Sequence, residues 1–374
     1  NTTGATNTAI GNEALDANTT ASNNVAVGHA SLSANTTGAN NVAVGVIALD
    51  ANTTAANNTA VGYGSLSANT TAANNTAVGF FSLYANTTGT GNTALGKSAL
   101  AANTTASYNT GLGENALISN TTGYSNTAVG NTSLYANTTA DHNTAIGSSS
   151  MAQNTTGSYN TAVGSGVLPS NTEGQRNTAV GYAALNTNTT ASYNVAFGMY
   201  TLLSNTTGSS NSAIGYNSLY ANTTGYYNIG VGGATLQANT TGVQNTALGY
   251  GVLAANTTAD NNTAVGHYAL SANTTGTENV AMGANALDAN TEGNYNVALG
   301  NYALTTDTKG GRNVAIGRSA LTSQNFASAT NSYNTAVGYS AGAAITIGTN
   351  NTLMGGLSGS SLTTGIQNVA LGLN

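Results

Sequence analysis

The sequence predicts an all-β chain: a β-solenoid in which each seventeen-residue repeat makes one coil of a parallel β-roll. Two observations carry that prediction. A pentapeptide first seen as Asn7-Thr8-Ala9-Ile10-Gly11 recurs in 22 copies, and its final Gly is kept in every one. The first nineteen copies are spaced at seventeen residues without an error. The surrounding unit reads Asn-Thr-Thr-(Gly/Ala)-x-x-Asn-(Thr/Val)-Ala-(Val/Ile/Leu)-Gly-x-x-(Ala/Ser)-Leu-x-Ala. Several Asn, a Gly and β-branched residues in every seventeen disfavour helix and suit short strands between turns.

A leucine-rich repeat needs several leucines per unit, whereas this unit usually has one, as at Leu15, Leu32 and Leu49. What remains is one circuit per repeat, each strand pairing with the coils above and below. At a strand spacing of about 4.8 Å, the coils would build a rod of roughly 100 Å. One coil buries too little apolar surface to offset the ordering of its own backbone, so stability must be shared along the stack.

Within the strand, Thr8 and Ile10 point one way and Ala9 the other. Positions eight and ten hold Thr or Val and then an aliphatic or aromatic residue, so they are expected to face inward. Position nine is Ala in 19 of 22 copies, the exceptions being Gly111, Gly230 and Leu353. An enforced small residue on the opposite face predicts a neighbouring chain packed against it, hence a homo-oligomer. Gly11 and its equivalents are expected where φ is positive or where backbones approach too closely for a Cβ. Asn1 and Asn7 recur in register. Either their amides stack from coil to coil, or Asn is there because it tolerates a turn.

The pattern divides the chain into residues 1–323, nineteen regular repeats, and residues 324–374, an irregular continuation with three further strand motifs. Between Asn313 and Asn334 the spacing is 21 residues, so four are inserted around Gln324 to Tyr333 and one coil must bulge. Gly342 and Gly359 then stand where Leu is expected, while Ile345, Ile347, Leu357 and Leu362 appear at new places, as in a transition toward a cap or another module. Glu292, Asp307, Lys309, Arg312 and Arg318 concentrate charge just before the break, for interaction or for edge protection.

Charged residues are only 4% of the chain and the net charge of −6 is spread thinly, so there is no basic patch to neutralise a phosphate backbone and no nucleic-acid partner is expected. No apolar run approaches a membrane span, and no membrane insertion is expected. The absence of Cys fits an exported protein without disulfides and a cytoplasmic one equally.

Little chemistry is visible. His29, His142 and His267 fall at repeat positions twelve, six and twelve, far apart, so neither a metal nor a catalytic site is expected. Asp16, Asp50 and Asp288 recur at position sixteen but alternate with uncharged residues, as on a solvated surface. Lys309-Gly310-Gly311-Arg312 lacks the strand-to-helix setting of a phosphate loop. No cofactor is expected. The 19 tyrosines gather at positions five, six, twelve, thirteen and sixteen, where identity varies. Tyr84, Tyr135, Tyr220 and the pair Tyr226 and Tyr227 are the candidate contacts for sugars or protein surfaces, set against the alternative of scattered rings that cover coil edges. Sixteen units open with Asn-Thr-Thr, also a glycosylation sequon, as at Asn52-Thr53-Thr54; the repeat itself demands those residues.

The run Asn126-Thr127-Ala128-Val129-Gly130, with its counterparts along the whole chain, resembles the head repeats of trimeric autotransporter adhesins (YadA-like heads) and related repeats of phage tail-fibre-like proteins. The resemblance implies a homotrimeric, left-handed parallel β-roll that projects from a cell or virion and attaches to a host-surface glycan or protein. The familiar adhesin head unit is shorter than seventeen residues. The function expected is therefore an extracellular adhesin head or tail-fibre shaft, not an enzyme. A second reading is ice or lattice binding through the regular row Thr2, Thr19, Thr36; a polysaccharide-cleaving β-helix comes third, for want of clustered carboxylates.

Overall fold

The computed structural model describes residues 2–373; Asn1, which opens the repeat as written, lies outside them. The chain is all-β, a parallel β-solenoid of about 21 turns with one three-residue strand per turn. It forms two compact units, Asn1–Thr190 and Ala191–Asn374. In the first, eleven strands run from β1 (Thr8–Ile10) and β2 (Val25–Val27) to β11 (Thr178–Val180). The second carries β12 (Val195–Phe197) through β18 (Val297–Leu299), then β20 (Val314–Ile316), β22 (Thr335–Val337), β23 (Thr352–Met354) and β24 (Val369–Leu371). Strands pair parallel and in register at a shift of seventeen, as Thr8 with Val25 and Ala264 with Ala281.

Three residues are strand and the rest of each coil is turn, which the repeat achieves by placing four residues in left-handed backbone. In the seventh turn these are Tyr108, Gly113, Asn115 and Leu117, with φ of 62°, 133°, 58° and 52°. A left-handed Leu costs on the order of 1–2 kcal/mol. It persists because the Leu column is buried and because its amide bonds the neighbouring coil, as from Leu117 N to Ser133 O at 3.0 Å. Gly130 meets both conditions anticipated for its column. Its φ is +131°, and a Cβ there would lie 2.6 Å from the Gly147 carbonyl oxygen one coil on.

The two faces of the strand are the reverse of the sequence expectation. The Ala column at position nine, from Ala26 to Ala336, is fully buried inside its own coil, while positions eight and ten face outward. Ala is enforced by the Leu column: a Cβ on Gly111 would sit 3.3 Å from Leu100 Cγ. The position-nine exceptions trace the volume available. At Gly230 a Cβ would meet Ser218 Oγ at 2.6 Å and Thr235 Oγ1 at 2.9 Å, so the larger Thr235 is accommodated by a missing methyl. Conversely, Leu353 fills the space left where Gly342 and Gly359 replace Leu; its Cδ atoms lie 2.8 Å from the Cβ position of each. Small residues at position nine therefore need no second chain to explain them.

Of the two readings of Asn, the structure adopts the stacked one. At position one, Asn137 Nδ2 donates to Asn120 Oδ1 at 2.8 Å and to Ala140 O at 3.1 Å. At position seven, Asn126 Oδ1 accepts the Asn143 backbone N–H at 2.9 Å, and its Nδ2 donates to Ala140 O at 2.8 Å. Both lone pairs of the Ala140 carbonyl are thus used, and this one carbonyl ties the two columns together. All these amides are buried, so every polar group in the interior needs its partner.

The four inserted residues bulge out and form a second, two-stranded sheet. In it β21 (Thr330–Asn331) pairs parallel with β19 (Gly310–Gly311). The main ladder continues beneath it, Val314 pairing with Thr335. After the bulge the position-one column becomes apolar, with Ile345 fully buried where Asn stood.

Candidate functional site

Three surface features could meet a partner: the outward strand face, the clustered rings and the junction around the inserted residues. The strand face follows from the alternation of the strand. With Ala turned in, Thr or Val at position eight and Val, Ile, Leu, Met or Phe at position ten are turned out. Leu95 is 46% exposed, Phe197 41% and Met282 46%, an apolar row renewed at every coil. Charge is absent from these two columns.

The candidate tyrosines lie where the sequence places them, on the surface. Tyr84, Tyr135, Tyr226 and Tyr227 are exposed, and Tyr220 is half-buried beside Tyr200, with ring centroids 6.5 Å apart. Only some of them share a patch. Tyr84 packs edge-on to Phe81 at 4.7 Å, beside Phe80 and Tyr63, which stack at 5.5 Å. Tyr226 and Tyr227 form a T-shaped pair at 5.2 Å. Tyr135 has no ring partner among the described residues.

Sequence reasoning missed that rings at the same repeat position in consecutive coils stack, because the strand spacing matches a ring-to-ring distance. His142 stacks on Tyr159 at 5.0 Å, with Tyr124 edge-on and the Arg176 guanidinium 5.7 Å from the Tyr159 centroid. Tyr250 stacks on His267, which abuts Tyr268 at 4.3 Å. His142 and His267 are therefore members of aromatic patches. The signal was a pair of planar residues seventeen apart.

At the junction, a polar cleft of about 160 Å³ is lined by Glu292, Asn294, Lys309, Gly311, Thr330 and Asn331. Lys309 Nζ pairs with Glu292 Oε1 at 2.9 Å, and Arg312 lies over Tyr295 at 4.6 Å and over Tyr333 at 5.8 Å. Asp307, grouped with these charges on sequence, is not on the surface: it is buried in the position-one column.

The Thr2, Thr19, Thr36 row has its hydroxyl hydrogens committed. Thr19 Oγ1 donates to Thr36 O at 3.1 Å, and Thr36 Oγ1 to Thr53 O at 3.0 Å. The sequon Asn52 is buried with Nδ2 bonded to Asn35 Oδ1 at 2.9 Å, so a folded coil offers no amide to a glycan. Among the described residues there is no group of three or more His, Asp or Glu that could hold a metal ion, and no helix is long and apolar enough to cross a membrane. The chain matches no family model and no curated protein.

Proposed function

We propose that the chain is a structural and adhesive segment of an extracellular fibre, an adhesin head or tail-fibre shaft without enzymatic activity, and that it works as a left-handed homotrimer. One observation carries the self-association: the outward strand face is uncharged, and its position-ten row is apolar and repeated at every coil. An apolar face renewed so regularly exceeds what a monomer ordinarily leaves to water. A partner that covers it must step at the same interval, and a second copy of this chain does so by construction. The companion chain argued from the alanines thus leans on the opposite face of the strand.

The test is the oligomeric state in sedimentation. Leu95→Glu with Leu112→Glu is expected to yield monomers whose circular dichroism spectrum matches wild type, because both side chains point away from the core. A wild-type chain that sediments as a monomer at micromolar concentration refutes the self-association.

Attachment is assigned to the exposed rings, whose flat amphipathic area suits pyranose faces and protein surfaces. Tyr226→Ala with Tyr227→Ala is expected to weaken binding to cells or glycans about tenfold at unchanged melting temperature. Unaltered binding by this variant, and by a Tyr63, Phe80 and Tyr84 triple alanine variant, removes the rings from the reading. The committed Thr hydroxyls count against lattice binding, for which thermal hysteresis is the direct assay.

A further inference from the structure

In the regular coils each position-one amide receives one hydrogen bond from the next: Asn256 Nδ2 to Asn239 Oδ1, Asn273 Nδ2 to Asn256 Oδ1 and Asn290 Nδ2 to Asn273 Oδ1, at 2.8 to 2.9 Å. The rung after Asn290 is Asp307, which in its ionised form has no hydrogen to give. Asn290 Oδ1 is accordingly a buried acceptor without a hydrogen-bond partner. Leaving such a group unpaired costs roughly 1–3 kcal/mol.

We propose that Asp307 is a proton-operated rung, which as the neutral acid donates its hydroxyl hydrogen to Asn290 Oδ1 and as the carboxylate releases that hydrogen to solvent and breaks the column. Both carboxyl oxygens are otherwise engaged as acceptors. Gly310 N donates to Oδ1 at 2.9 Å and Gln324 Nε2 to Oδ2 at 2.5 Å, and neither bond requires the charge. Gln324 Oε1 in turn accepts from Asn334 Nδ2 at 2.8 Å, so the state of Asp307 is felt where the inserted residues rejoin the solenoid.

Burial drives the Asp307 carboxyl above the ordinary aspartate value of 3.8, against the opposing pull of the Gln324 side chain and the amides of Gly310, Phe326 and Lys309. The ionisable groups on the coils around it are Glu292, Tyr295 and Tyr302 before it, Lys309, Arg312 and Arg318 on its own coil, and Tyr333 and Tyr339 after it. Lys309 is paired with Glu292, and Arg312 and Arg318 lie over tyrosine rings, which leaves the carboxyl without a dedicated counter-ion.

A folded-state value raised above the unfolded one means that the neutral form stabilises the fold. That stability is full below pH 3.8 and is lost as pH rises through the raised value. Asp307→Asn supplies a permanent donor. Relative to D307N, whose side chain does not titrate, the melting temperature of wild type is expected to fall as pH rises from 4, by about 3 °C per pH unit until the acid is fully ionised. A D307N protein with the wild-type pH slope overturns the proposal. Should D307N fail to fold, infrared spectra of wild type labelled in its aspartate carboxyls decide. A carboxylic-acid carbonyl band at a pH where free aspartate is ionised supports the neutral rung, and its absence overturns it.

Discussion

Gly130→Val is expected to unfold the unit that contains it. A β-branched side chain must take up a φ of +131°, which costs about 1–3 kcal/mol even in open space. Here the space is closed, with the Gly147 carbonyl oxygen and carbon 2.6 and 2.7 Å from the new Cβ and Ser148 N at 3.1 Å. These are backbone atoms of a residue already held in place, for Gly147 N donates to Val129 O at 2.7 Å and Gly147 O accepts from Ser150 N at 3.3 Å. Relief requires parting two coils, and a total loss above about 4 kcal/mol follows. The measurement is thermal or urea unfolding with limited proteolysis, read against Gly111→Ala. That substitution adds a methyl where most coils carry one and is expected to be neutral or to stabilise by about 0.4–1 kcal/mol. A Gly130→Val protein that melts with wild type would mean that the coils do not stack as described.

The second large effect is expected at Asn126. Replacing it with Leu strands the Asn143 backbone N–H, which loses its Oδ1 acceptor, and removes one of two donors from the Ala140 carbonyl. A buried donor left without a partner costs about 1–3 kcal/mol, and forcing a bulkier apolar side chain of the same length into a filled column adds about 1–3 kcal/mol. Asn137→Leu is the informative comparison. Its Oδ1 accepts from the Asn154 side chain, not from a backbone N–H, and its column already passes to Ile345 and Leu362 at the far end, whereas position seven is Asn in all 22 copies. The expected order of melting temperatures is wild type, then Asn137→Leu, then Asn126→Leu. Equal losses would place the two columns on the same footing.

The repeat, the strand at its centre, the Gly with positive φ and the bulge near Gln324 were all legible in the sequence, because each is written in spacing. Which strand face turns inward was not. Alternation says that positions eight and ten share a face; it does not say which, and hydrophobicity points the wrong way when the interior is filled by Leu from the turn. Leu117, at φ 52°, belongs to the turn by backbone and to the core by burial, a combination that no propensity anticipates. The candidate contacts were partly legible: exposure of Tyr226 and Tyr227 follows from variable positions, but the stack of His142 on Tyr159 needed the strand spacing. Asp307 was read as surface charge because it neighbours Lys309 and Arg312; its place in the Asn column was available from its register.

That each strand of the main ladder pairs with the one a single circuit away, seventeen residues on in the regular coils and 21 across the bulge, also governs how the chain acquires its shape. No pairing requires a search over more than one circuit, so the entropy lost in closing each new turn is small and the same at every step. Extension by one circuit at a time onto an existing template then makes the rate of each step independent of chain length, and a chain emerging slowly from its start can assemble as it appears.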